Sequence, residues 1–161
     1  MIRSGDFGLK PDPDFSPDER LYRRINPDQI YEGNRVLGNA LEDIKERHPS
    51  CSFNRGKYSD PNDVLDPASS EYNRIAFLVA GNLPEPQPHP TDPQALYAFR
   101  LEHLPEDINY SHTEAQVTKQ GKSASRVGSA DLRRQLREAL ADKMSVLDPA
   151  ISSTRAVPGA F

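Results

Sequence analysis

Apolar positions along the chain fall mostly into short alternating runs, with one helical stripe near the C-terminal end. That stripe is "SADLRRQLREALADKMSVL" (Ser129 to Leu147), where Leu132, Leu136, Leu140, Met144 and Leu147 recur at helical spacing. Ser129 is placed to cap it and Pro149 to end it. Earlier, "RLYRRI" sets Leu21 and Ile25 among arginines before Pro27 stops any continuation. "RVLGNALEDIKERH" (Arg35 to His48) reads as a short helix carrying Leu37, Leu41 and Ile44. "SCSFNR" (Ser50 to Arg55) reads as a short strand. "YSDPNDVL" reads as one helical turn, with Ser59 or Asp60 as cap and Pro61 at the first helical position. "RIAFLVAGNL" (Arg74 to Leu83) is the most apolar run and predicts a central strand covered on both faces.

Two further runs, "ALYAFRLEH" (Ala95 to His103) and "YSHTEAQV" (Tyr110 to Val117), alternate with period two and predict a hairpin. Joining their apolar faces favours Leu101 opposite Thr113, Phe99 opposite Ala115 and Tyr97 opposite Val117. That register sets Glu102 against His112 and Arg100 against Glu114. "PEPQPHPTDP" has prolines at 84, 86, 88, 90 and 93 and predicts a stiff connector over 84–93 outside the sheet. The fold expected is α+β: a small antiparallel sheet with the amphipathic C-terminal helix packed on it. Residues 1–19 form an extended arm, 20–148 a single domain and 149–161 a tail without periodicity.

Composition narrows the class. A chain of 161 residues suits one domain, and with 35% apolar residues its core must be compact. The formal charge of −4 argues against a general nucleic-acid binder while allowing a local basic patch. Cys51 is the only cysteine, which fits a reducing cytoplasm and a buried thiol. The first twenty residues lack the apolar core of a signal peptide, and no run approaches the roughly 20 residues of a membrane span.

Candidate chemistry lies in two places. On the hairpin, Arg100, Glu102, His112 and Glu114 form either a solvent-side charge ladder or a site. In the second case a carboxylate orients His112 as a general base, or His112 supplies a metal ligand together with Glu114 or Glu102. No further residue at metal-ligand spacing supports the metal, and no cofactor is expected. His48 and His89, beside prolines, receive no role. In the loop and helix that follow, Lys119, Lys122, Arg126, Arg133 and Arg137 make a locally basic surface for a phosphate or a partner, or a solvated helix face.

The segments "LYRRI", "CSFNRGKYSDPNDVL" and "NYSHTE" resemble a family of small uncharacterised bacterial proteins. That family carries LYRRI, SVNR-like and KYS-like segments and an N-x-x-H-x-E motif. The chain departs from it at "VLGNAL", where a serine pair before an aromatic residue is expected. The resemblance implies a place near toxin or phage-defence genes and brings no activity. A fainter similarity to RES-type NAD-degrading toxins implies that Arg23 contacts the dinucleotide and that Glu114 is the late acid. Their glycine-rich GRWN pattern is missing here. Two functions follow as expectations. One is an accessory protein binding a protein or nucleic-acid partner. The other is a small hydrolase acting on a nucleotide or nucleic acid through His112 and Glu114.

Overall fold

The arginine-studded "RLYRRI" is a strand because its alternation serves two layers at once. Leu21 and Ile25 are fully buried in the main core, while Tyr22 enters a second, smaller cluster with Val64, Ile75 and Leu147. The computed structural model describes residues 8–32, 34–65 and 74–147. In chain order these contain β1 (Arg20–Ile25), β2 (Ile30–Tyr31), β3 (Arg35–Val36), β4 (Ser50–Arg55), α1 (Pro61–Val64) and β5 (Arg74–Val79). After these come β6 (Gln87–His89), β7 (Asp92–His103), β8 (His112–Lys119), β9 (Lys122–Ser123), α2 (Ala130–Asp142) and β10 (Ser145–Val146). Pairing is antiparallel throughout, in the order β10-β5-β1-β4-β8-β7-β6, with β9 added to β8 and β2 with β3 as a separate ribbon.

The architecture is a mainly antiparallel sheet with one long helix, an α+β composition. The apolar stripe of α2 is buried: Leu132, Leu136, Leu140 and Ala141 share one core cluster with Leu21, Phe53, Phe99 and Val117. Each buried leucine of that stripe contributes about 1.5–3 kcal/mol by leaving water. Ser129 caps the helix, its hydroxyl accepting from the Leu132 amide at 3.1 Å. At α1, Asp60 is the cap and Pro61 the first helical residue, and the Asp63 carboxylate accepts from the Asp60 amide.

Several local expectations give way. Residues 35–48 are not an α-helix; β3 is followed by a 3-10 turn at Gly38–Leu41 and an isolated bridge between Ile44 and Pro49. Gly38 and Asn39 are poor helix formers, and this path still buries Val36, Ala40, Leu41 and Ile44. β5 has both faces covered, but it lies one strand in from the edge, between β1 and the short β10; β4 is the central strand. Part of the proline-rich stretch is in the sheet: Gln87 pairs with Tyr97 and Pro88 with Leu96 at the outer edge. Proline is tolerated there because an edge strand needs donors on one side only.

The hairpin of β7 and β8 pairs two residues away from the expected register. Leu101 faces Ala115, Phe99 faces Val117, Glu102 faces Glu114 and Arg100 faces Gln116. The connection explains the slide. Glu106 and Asn109 exchange both backbone hydrogen bonds, and the chain then turns through Asn109 to His112, carrying Tyr110 and Ser111 out of the strand and into the interior.

Residues 8–19 are extended but tied down. Arg55, fully buried at the end of β4, donates from Nε and one terminal nitrogen to the Glu19 carboxylate at 2.9 and 2.8 Å. It also donates to the carbonyls of Asp12 and Asp14, and lies 4.0 Å from the Phe15 ring centroid. Asp12 accepts from Lys57 and Tyr58, which hold its carboxyl well below the usual carboxylate range. The Asp12 amide donates to His103 Nδ1 at 2.8 Å, and His103 Nε2 donates to the Tyr110 carbonyl at 2.6 Å. Burial lowers the His103 pKa, and these two bonds define a neutral imidazole protonated on Nε2. The tail at 149–161 lies outside the described residues.

Candidate functional site

At one end of β1 and β4 the ladder is closed, with Leu21 opposite Arg55 and Tyr22 opposite Asn54. Beyond Tyr22 the two strands part, although β1 stays paired with β5 and β4 with β8. Arg23 bridges the opening. Its Nε donates to the Ala40 carbonyl at 3.0 Å and one terminal nitrogen donates to the Ser52 carbonyl at 2.9 Å, with Asp43 at 3.0 Å. A guanidinium thus takes the acceptor on β4 that a closed ladder would have matched with a backbone amide. Cys51, buried close to this cation and to Asp43 and Glu114, is pushed up to about 12 mainly by burial and is an inert thiol.

The parted strands frame a cleft of about 500 Å³, lined by Arg23, Arg24, Gln29, Asn39, Glu42, Asp43, Ser52, Asn54, Asn109 and His112 among others. That volume is in the range of small-molecule sites. The polar floor comes from alternation: Ser50, Ser52 and Asn54 share one side of β4, and Cys51, Phe53 and Arg55 the buried side. Asn54 accepts from Asn109 and from the Ser111 hydroxyl, which fixes both amides at the cleft wall.

His112 enters this cleft with its tautomer set. Nδ1 lies 2.8 Å from the Leu104 carbonyl, which can only accept, so the ring carries a proton there; Glu106 Oε1 stands 3.2 Å from the same nitrogen. In the neutral ring Nε2 then presents its lone pair, and the Ser52 hydroxyl lies 3.3 Å from it. Glu114, one step along β8, turns elsewhere: it accepts from the Ser50 hydroxyl at 2.8 Å and stands 3.4 Å from His48 Nε2. Arg100 pairs with Glu102 at 2.9 Å and also donates to the Ser123 hydroxyl. The four residues singled out on the hairpin therefore share a sheet face but divide into three local environments. Only His112 lines the cleft.

The basic region is arranged mainly by internal bonds. Arg137 donates twice to the Ile44 carbonyl, at 3.1 and 2.5 Å. Arg133 donates to the Val127 and Gly128 carbonyls, and Arg126 pairs with Glu46 at 3.2 Å. Lys119 and Lys122 face each other across β8 and β9. Sequence reasoning overlooked Ser52, Asn54, Glu106 and Asn109. The alternation of Ser50, Ser52 and Asn54 was the available signal for the first two, and Asn109 heads the N-x-x-H-x-E segment, but nothing local marks Glu106.

Among the described residues no three His, Cys, Asp or Glu side chains are grouped so as to hold a metal ion, and no helix is long and apolar enough to cross a membrane. Comparison of the chain with protein-family models, with curated proteins and with solved structures finds no match.

Proposed function

We propose that the protein is a small hydrolase that takes a phosphate-bearing, nucleotide-sized substrate in the cleft between β1 and β4, with His112 as general base. One observation carries this: His112, with Nδ1 turned to the Leu104 carbonyl, points Nε2 into a concavity that also holds the Ser52 hydroxyl, two arginines, several amides and the carboxylates of Glu42 and Asp43. A base held by a backbone carbonyl and a carboxylate keeps one orientation through proton transfer. Arg23, held by Asp43 and two carbonyls, and Arg24 bring positive charge to the cleft beside Glu42 and Asp43, and Asn39, Asn54 and Asn109 supply groups able to hydrogen-bond a base or sugar.

Arg126, Arg133 and Arg137 on the 119–137 surface are engaged with Glu46 and main-chain carbonyls, much as Arg23 is with Asp43 and two carbonyls. The histidine in the cleft, and not the arginines, therefore favours the cleft over docking of a protein or nucleic-acid partner there. The test is a panel of nucleotides and dinucleotides, scored by thermal shift and by turnover. At least one is expected to raise Tm and be hydrolysed. His112→Ala should then cut kcat about 10²–10⁴-fold while Tm stays near that of the parent. A panel with neither binding nor turnover overturns the proposal.

A further inference from the structure

We infer that Ser52 is the nucleophile of this cleft and that catalysis passes through a covalent Ser52 phosphodiester, an assignment that rests on the hydrolase reading above. Ser52 Oγ lies 3.3 Å from His112 Nε2, His112 Nδ1 lies 2.8 Å from the Leu104 carbonyl, and Glu106 Oε1 is 3.2 Å from that nitrogen. A hydroxyl on β4, an imidazole at the start of β8 and a carboxylate in the connection from β7 to β8 thus stand in the order that activates a serine. The serine is also fixed from behind, since its own carbonyl accepts from Arg23 at 2.9 Å. That bond sets a guanidinium beside the carbon skeleton that would bear the phosphoryl group.

The neighbouring serine offers a contrast on the same strand. Ser50 is 1% exposed, and its hydroxyl proton goes to Glu114, which cannot pass it to a leaving group across the cleft. His48, 3.1 Å from Ser50 Oγ, has a side chain 71% exposed. Ser52 alone of the two lines the cleft.

The step balances without a further reactant besides water. Ser52 Oγ bonds to the phosphorus of a phosphodiester as the bond from phosphorus to the leaving oxygen breaks. The hydroxyl proton moves to His112 Nε2 and from there to the leaving alkoxide. Water then attacks the same phosphorus and gives its proton to Nε2. The bond from phosphorus to Oγ breaks, and Oγ recovers the proton. Glu106 acts through His112 Nδ1, so it is a positioning residue.

The experiment uses bis(p-nitrophenyl) phosphate with the full chain. The wild type should release a burst of about one equivalent of nitrophenolate, with a single adduct that peptide mass spectrometry places on Ser52. Burst and adduct should both vanish in Ser52→Ala and His112→Ala, each checked for an unchanged Tm. Glu106→Gln should lower kcat at unchanged KM, by less than the about 10⁴-fold loss of a triad whose imidazole takes the wrong tautomer, since the Leu104 carbonyl still holds Nδ1. Turnover lost in His112→Ala but kept in Ser52→Ala, with no adduct, overturns the Ser52 assignment and leaves the hydrolase reading standing. No turnover by any form, together with a silent nucleotide panel, overturns both.

Discussion

Two arginines mark the two ends of the β1–β4 pair, and their surroundings differ in kind. Arg55 is fully buried, its donors turned to Glu19 and to the Asp12 and Asp14 carbonyls, with Phe15 against its face. Arg23 is partly exposed, bonded to two carbonyls and Asp43, and faces a cleft. The first end is closed around its charge, which secures the segment before β1 to the sheet. The second stays open, and its polar groups border a space that a ligand can enter. Buried and satisfied charge reads as architecture, whereas charge at a break in the ladder reads as a site.

The largest test of this contrast is Arg55→Ala. Removing the guanidinium leaves Glu19 buried without its partner, and the expected loss is about 3–5 kcal/mol of unfolding free energy in a denaturant titration. A loss below 1 kcal/mol would show that the closed end is not closed. Arg23→Ala should cost about 1–3 kcal/mol by stranding two carbonyl acceptors. It should also abolish the nucleotide-induced rise in Tm, a binding defect that Arg55→Lys should not reproduce in any folded fraction. Smaller again, Arg137→Gln should lose about 1 kcal/mol with nucleotide binding intact, because its bonds to Ile44 are structural.

The mildest test is pH. The folded-state pKa of His103 lies below the ordinary value of 6.5 because burial disfavours the imidazolium, so below 6.5 the unfolded chain binds more protons than the folded one. The stability held by neutral His103 is complete above that value and declines as pH falls below it. Protonating Nδ1 also removes the acceptor for the Asp12 amide. A urea midpoint measured against pH should therefore drop on the acid side of 6.5, and less so in His103→Gln.

What could be read ahead of the coordinates follows from what a periodic pattern constrains. Alternation in Ala95 to Val117 determined which side chains turn inward, and Phe99, Ala115 and Val117 are indeed buried. It left sliding by two residues undetermined, since that keeps every residue on its face; the turn from Asn109 to His112 settled the register instead. The α2 stripe and the α1 cap were legible because each depends on near neighbours in sequence. Of the site, His112 and Arg23 could be named from short motifs, but their meeting across a parted strand pair could not. Ser52 and Glu106 belong to the site only through contacts spanning 60 and 6 residues with His112, respectively.

The strand at the outer rim has a further consequence. β6 is three residues long, carries Pro88 in its middle and shifts register beside His89 before β7 begins. A second molecule seeking to extend the sheet at that side meets an interrupted row of amide donors and a strand whose register shifts. The proline-rich stretch thereby guards the rim against strand-by-strand polymerisation, even while the core beneath it remains rich in β-structure.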